Sequence, residues 1–171
     1  GNGCINNSML LTCTPLATVI CAPGVPNSTG QPGLITATGS TRVIDLLHDD
    51  AWVRDGVGGG GLAAPPVEFL TDGKQIWFLS ERDGWMHLYT LDVSVESAKA
   101  TQLTSGKWEV SAAEVARDGK TFYITTSEVH PGERHLYRLP IEGGPRTRIT
   151  SMAGSNQVEI SPDESTLGLV F

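Results

Sequence analysis

Asp72-Gly73-Lys74-Gln75-Ile76-Trp77-Phe78-Leu79-Ser80 returns 46 residues later as Asp118-Gly119-Lys120-Thr121-Phe122-Tyr123-Ile124-Thr125-Thr126. In both copies an Asp-Gly pair opens onto an apolar, aromatic run. Glycine takes positive φ without steric cost, so Asp-Gly beside a β-rich run marks a hairpin. The similarity extends outward. His87-Leu88-Tyr89 recurs as His135-Leu136-Tyr137 after 48 residues, and Gln102-Leu103-Thr104 as Arg148-Ile149-Thr150 after 46. A third unit opens at Ser161-Pro162-Asp163, 45 residues after Asp118, and runs to Phe171. A fixed period of this length is the mark of stacked supersecondary units.

Each unit reads as four short strands. The first has Val67 to Leu70, Gln75 to Ser80, Trp85 to Leu91 and Ala100 to Thr104. The second has a strand ending near Val115, then Thr121 to Thr126, Arg134 to Leu139 and Arg146 to Thr150. Turns fall at Arg82-Asp83-Gly84, Pro131-Gly132 and Gly143-Gly144. Ile76 to Leu79 and Phe122 to Ile124 are continuous apolar runs, as expected where both sheet faces are covered. Arg146 to Thr150 alternates polar and apolar, as an outer strand half in water does. No segment carries a helical apolar period. Buried inner strands and a wet outer strand, repeated every 46 residues or so, describe blades of a β-propeller. Arg42 to Leu46 reads as the last strand of an earlier blade, with Gly33 to Thr38 before it. The expectation is an all-β fold: a partial β-propeller of about two complete four-stranded blades plus parts of two others. Open blade edges would leave backbone groups unpaired, so the chain reads as a fragment of a larger propeller.

Composition divides the chain in the same way. The 171 residues carry 12 Lys+Arg against 19 Asp+Glu, a formal net charge of -7. All of these charges lie from Arg42 onward. Residues 1–32 are accordingly expected to be an uncharged leader or arm, poorly ordered, and 33–171 the partial propeller. An acidic chain without a basic cluster is a poor candidate for nucleic acid. Cys4, Cys13 and Cys21 lack the paired spacing of a zinc site, so neither metal nor cofactor is expected. Asn6-Asn7-Ser8 and Asn27-Ser28-Thr29 match the glycosylation triplet, which acquires meaning only in a secreted eukaryotic protein.

Candidate chemistry is sparse. Gly-x-Ser-x-Gly, the strained turn of α/β-hydrolases, is absent. Gly56-Val57-Gly58-Gly59-Gly60-Gly61 satisfies the dinucleotide pattern, but Pro65-Pro66 follows where a helix would have to open. An inter-blade loop is the better reading. His87 and His135 recur with the fold period, which assigns them to the blade rather than to a single site. His48 and His130 fall in turns. Glu81-Arg82-Asp83 and, one unit later, Glu128 and Glu133-Arg134 are expected to hold turns and pair with neighbouring blades. Trp85 and Trp108 are expected to pack between blades.

Three stretches carry a resemblance: Ser80 to Tyr89 (Ser-Glu-Arg-Asp-Gly-Trp-Met-His-Leu-Tyr), Gln102 to Val110 (Gln-Leu-Thr-Ser-Gly-Lys-Trp-Glu-Val) and Glu133 to Arg138. They resemble the N-terminal β-propeller of the dipeptidyl peptidase IV group, within the prolyl oligopeptidase class of serine peptidases. The likeness runs from about Gly33 to Phe171. It implies a parent chain in which a C-terminal α/β-hydrolase domain carries the catalytic triad. The propeller would cap that domain and gate or bind peptide substrates. It implies no catalytic residue here, a possible homodimer of the parent, and a secreted, periplasmic or membrane-anchored location. It also implies a substrate contact at Arg54, although the aromatic that the family pattern sets beside it is replaced by Asp55-Gly56-Val57. The alternative is a stand-alone propeller that binds proteins without hydrolase activity.

Overall fold

The computed structural model describes residues 67–170, together with the backbone of three short strands before them. Those strands are β1 (Ala17–Val19), β2 (Pro32–Ile35) and β3 (Thr41–Val43). They form an antiparallel sheet of order β1-β2-β3. The pairing of Ala17–Val19 with Pro32–Ile35 brings part of the 1–32 segment into a sheet.

The first blade contains β4 (Glu68–Phe69), β5 (Gln75–Ser80), β6 (His87–Asp92) and β7 (Thr101–Gln102), hydrogen-bonded in that order. The second contains β8 (Val110–Val115), β9 (Thr121–Thr126), β10 (His135–Pro140) and β11 (Thr147–Arg148), in the order β8-β9-β10-β11. The third begins with the hairpin β12 (Gln157–Ile160) and β13 (Leu167–Val170). No helix occurs among the described residues. The fold is therefore all-β, a partial β-propeller, as expected from the repeat. The middle strands β5 and β9 are mostly buried while β7 and β11 are exposed on both residues. That is the difference between continuous and alternating apolar patterns, expressed as burial.

Register explains how blades meet. Directly opposed residues of an antiparallel pair share a face. In blade 1, Phe78 opposes Tyr89 and Ile76 opposes Leu91, and these four form one cluster. Leu79 opposes Leu88 and Trp77 opposes Thr90 on the other face, which meets blade 2. There, Phe122 opposes Leu139 and Ile124 opposes Tyr137. These residues join Leu70, Trp77, Leu88, Trp108 and Val110 in one buried cluster. At its centre Trp77 meets Phe122 edge-on, ring centroids 5.7 Å apart. Tyr123 and Leu136, on blade 2's far face, pack with Val158 and Ile160 of blade 3. Blade 2 thus buries one face against blade 1 and the other against blade 3, which is why its inner strand β9 lacks polar alternation.

Two turns depart from plain repetition. Gly119 has φ +64, and a Cβ there would lie 2.8 Å from the Thr71 side chain. Glycine is therefore required both by the turn and by the approach of blade 1. In blade 3 the corresponding residue is Glu164, at φ 56. Its carboxylate accepts the Arg117 backbone N–H at 2.6 Å, while the Arg117 guanidinium bonds the Pro162 carbonyl. The strained residue ties the turn of blade 3 to that of blade 2.

Trp85 corrects the expectation of two inter-blade tryptophans. It follows Gly84 at a hairpin turn and is 39% exposed. Trp108 does lie between blades, edge-on to His87 at 4.9 Å and covered by the Arg146 guanidinium at 4.7 Å.

Candidate functional site

The two periodic landmarks of each unit are bonded to one another. His87 is fully buried at the start of β6, and its Nδ1 lies 3.0 Å from Thr104 Oγ1. Its Nε2 lies 3.0 Å from the Gly106 carbonyl oxygen. One blade on, His135 Nδ1 is 3.2 Å from Thr150 Oγ1, and Nε2 is 2.9 Å from Glu133 Oε2. Carbonyl and carboxylate oxygens can only accept, so Nε2 carries the proton in both rings. Nδ1 is then the acceptor for the threonine hydroxyl. Each hydroxyl also accepts a backbone N–H, Leu88 to Thr104 at 3.0 Å and Leu136 to Thr150 at 3.0 Å. Histidine and threonine together pin the end of the outer strand to the third strand.

Glu133, His135 and Thr150 have the connectivity of an orienting carboxylate, a base and a hydroxyl nucleophile. The environment denies that role. Thr150 is buried, its oxygen is engaged by the Leu136 N–H, and Asn156, also buried, crowds the ring. Blade 1 repeats the clasp with a peptide carbonyl in place of the carboxylate. The recurrence with the fold period therefore reflects blade construction, as the sequence indicates for His87 and His135.

The charged turn residues are likewise engaged in construction. Asp83 accepts the Trp85 N–H at 3.2 Å and the Gln102 amide at 2.6 Å. The Arg82 guanidinium lies over the Phe78 and Tyr89 rings at 5.4 and 4.7 Å. Arg146 makes a two-pronged pair with Glu128, one arm at 2.7 Å. The partners of Asp83 and the Glu128–Arg146 pair belong to the same blade. His130 is exposed, and its Nδ1 accepts the Gly132 N–H.

Arg54 lies outside the described residues, as do His48, the Gly56–Gly61 run, the three cysteines and the glycosylation triplets. Among the described residues no group of three or more His, Cys, Asp or Glu could hold a metal ion.

One periodic position escaped the sequence reading. Glu68, Glu114 and Glu159 each precede the turn aspartate by four residues and lie on the first strand of successive blades. Glu114 and Glu159 line one cleft of about 220 Å³. Partial burial raises the Glu114 pKa, with added repulsion from Glu159, Glu164 and Glu68. The recurrence at spacings of 46 and 45 was the available signal. By contrast, Asp163 is held down to about 2 by hydrogen bonds from Ser161 and Ser165.

Comparison with known proteins follows the same boundaries. The family model described as the dipeptidyl peptidase IV (DPP IV) N-terminal region matches residues 33–170. The prolyl endopeptidase FAP of Homo sapiens is 33% identical over 97 residues, which is 56% of this chain and 12% of that protein. The dipeptidyl peptidase 4 of Arthroderma otae is 37% identical over 70 residues, 40% of this chain and 9% of that protein. The crystal structure of Porphyromonas gingivalis dipeptidyl peptidase 4 superposes with a TM-score of 0.64 at 20% identity, covering 85% of this chain and 19% of that one. At that identity the superposition speaks for the fold alone.

Proposed function

Because the chain belongs to the dipeptidyl peptidase IV N-terminal region family, we propose that it is the non-catalytic propeller segment of a serine exopeptidase. In the parent it caps a C-terminal α/β-hydrolase domain and gates or binds peptide substrates. The observation that carries this reading is the match across residues 33–170. The absence of a nucleophile elbow in the chain agrees with it, since the nucleophile then belongs to the partner domain. Acyl transfer through that serine would use a histidine base and an oxyanion hole, none of it supplied by these residues. Arg54 is proposed to contact a substrate carbonyl. The parent is further proposed to be secreted, periplasmic or membrane-anchored, and able to form a homodimer.

The test is hydrolysis of Gly-Pro and Ala-Pro chromogenic dipeptides by the parent protein and by the 171-residue chain separately. Turnover by the parent and none by the chain is the expected result. An inactive parent, or measurable turnover by the pure chain, overturns the proposal. Arg54→Met in the parent is expected to raise KM more than it lowers kcat, because a contact made equally in ground and transition states changes binding alone.

A further inference from the structure

A cleft of about 310 Å³ opens between blades 1 and 2 beside the Asp72-Gly73 turn. Leu70, Leu103 and Ile141 supply its apolar wall, and Asp72 and Glu142 are the charged residues among those described that line it. Thr90, a 6% exposed residue, also lines it, and its hydroxyl has no hydrogen-bond partner among the described residues. Asp72 uses Oδ1 for the backbone N–H groups of Lys74 and Gln75. Its Oδ2 and the Glu142 carboxylate have no hydrogen-bond or ion-pair partner among the described residues. Two available carboxylates and an unpartnered hydroxyl beside an apolar wall are complementary to a cation with an aliphatic stem.

The repeat identifies the cation. Thr90 occupies the place of Arg138, because His87-Leu88-Tyr89-Thr90 corresponds to His135-Leu136-Tyr137-Arg138. Thr71 likewise occupies the place of Arg117. Arg138 stands opposite Tyr123 in the ladder and lays its guanidinium over that ring at 5.2 Å. Asp118 is the turn aspartate there; the Lys120 N–H and, among smaller causes, the Arg138 charge hold its pKa down. Blade 1 keeps the aspartate, and Trp77 stands opposite Thr90 where Tyr123 opposes Arg138. It lacks the guanidinium, and the space is open.

We propose that this cleft is a binding site for the guanidinium of an arginine side chain from another molecule. The guanidinium takes the place that Arg138 fills in blade 2, facing Asp72 and Glu142, with its methylenes against Leu103 and Ile141. The inference is independent of whether the parent is a peptidase.

The 171-residue chain is titrated with N-acetyl-arginine amide and, separately, with a Gly-flanked arginine peptide. Binding is followed by calorimetry and by the amide resonances of Gln75, Thr90 and Glu142. Saturable binding is expected for the peptide, with or without binding of the free derivative, and none for the neutral, equally shaped N-acetyl-citrulline amide. Thr90→Val should weaken binding by about two- to tenfold, the effect of one hydrogen bond. Glu142→Gln, at an exposed position that leaves folding intact, should weaken it by about two- to fivefold. Thr90→Arg should abolish it, because the chain's own guanidinium then fills the cleft. Undiminished affinity in both Thr90→Val and Glu142→Gln overturns the proposal. So does retained binding by folded Thr90→Arg, citrulline binding equal to arginine, or no saturable binding by either arginine probe.

Discussion

Thr104→Val exchanges a hydroxyl for a methyl of nearly the same volume and isolates the electrostatic part of the histidine clasp. Thr104 is 2% exposed, so no solvent replaces what is lost. The hydroxyl accepts the Leu88 N–H at 3.0 Å and donates to His87 Nδ1 at 3.0 Å. Its removal leaves one buried donor and one buried acceptor without partners, each costing about 1–3 kcal/mol. Relief from burying the hydroxyl itself returns about 1 kcal/mol. The net destabilisation is therefore about 1–5 kcal/mol, a large share of the roughly 5–15 kcal/mol that holds a domain folded. For a chain of this size it corresponds to a loss of roughly 2–20 °C in Tm. Urea unfolding at neutral pH, followed by tryptophan fluorescence and far-UV circular dichroism, measures it. Thr150→Val should cost a similar amount, because the Leu136 N–H and His135 Nδ1 lose the same partner. Thr101→Val, at an exposed outer-strand position, is the control and should stay within about 0.5 kcal/mol. Losses below about 0.5 kcal/mol in both clasp variants would refute the reasoning, since the two buried groups would then have found other partners.

Other consequences are open to measurement. Gly106→Ala should destabilise the chain by more than about 2 kcal/mol: its φ is +133, and a Cβ would lie 2.2 Å from the Trp108 indole nitrogen. A red-shifted tryptophan emission should accompany the loss, and unchanged emission would contradict the displacement of Trp108. At position 164, Glu164→Ala should be less stable than Glu164→Gly by about 1 kcal/mol, because both lose the Arg117 contact while only alanine keeps the positive-φ strain; equal stabilities would show that the strain is absent. Glu114 has its folded pKa raised above 4.5, so the folded state binds the proton more readily. Stability should therefore rise as pH falls through the raised value toward 4.5, and Glu114→Gln should flatten that segment. Asp163 is lowered from 3.8 to about 2, so its contribution is present above 3.8 and disappears as pH falls toward 2. The difference profile of Asp163→Asn against the parent chain should show that second segment alone.

The blade repeat, the hairpin turns and the buried middle strands were legible in the sequence because each depends on local chemistry. Asp72-Gly73 and Asp118-Gly119 need positive φ wherever they occur, and both glycines have it, at 65° and 64°. A strand covered on both faces must lose polar alternation, so Ile76 to Leu79 announced its burial without reference to what covers it. Recurrence also separated His87 and His135 from a catalytic role, because a single active site has no reason to follow the blade period.

What the tertiary structure decided depends on residues far apart in the chain. His87 and Thr104 are 17 residues apart, and periodicity could mark both without saying that they bond. Two tryptophans beside similar Gly-rich turns have opposite fates. At φ +133, Gly106 lets Trp108 fold back into the space between blades, whereas Trp85, after Gly84 at a hairpin turn, is 39% exposed. The sequence also lists Thr90 and Arg138 as one variable position of the repeat. Only the packing of two twisted sheets turns that difference in side-chain length into a filled contact in one blade and an open, acidic cleft in the other.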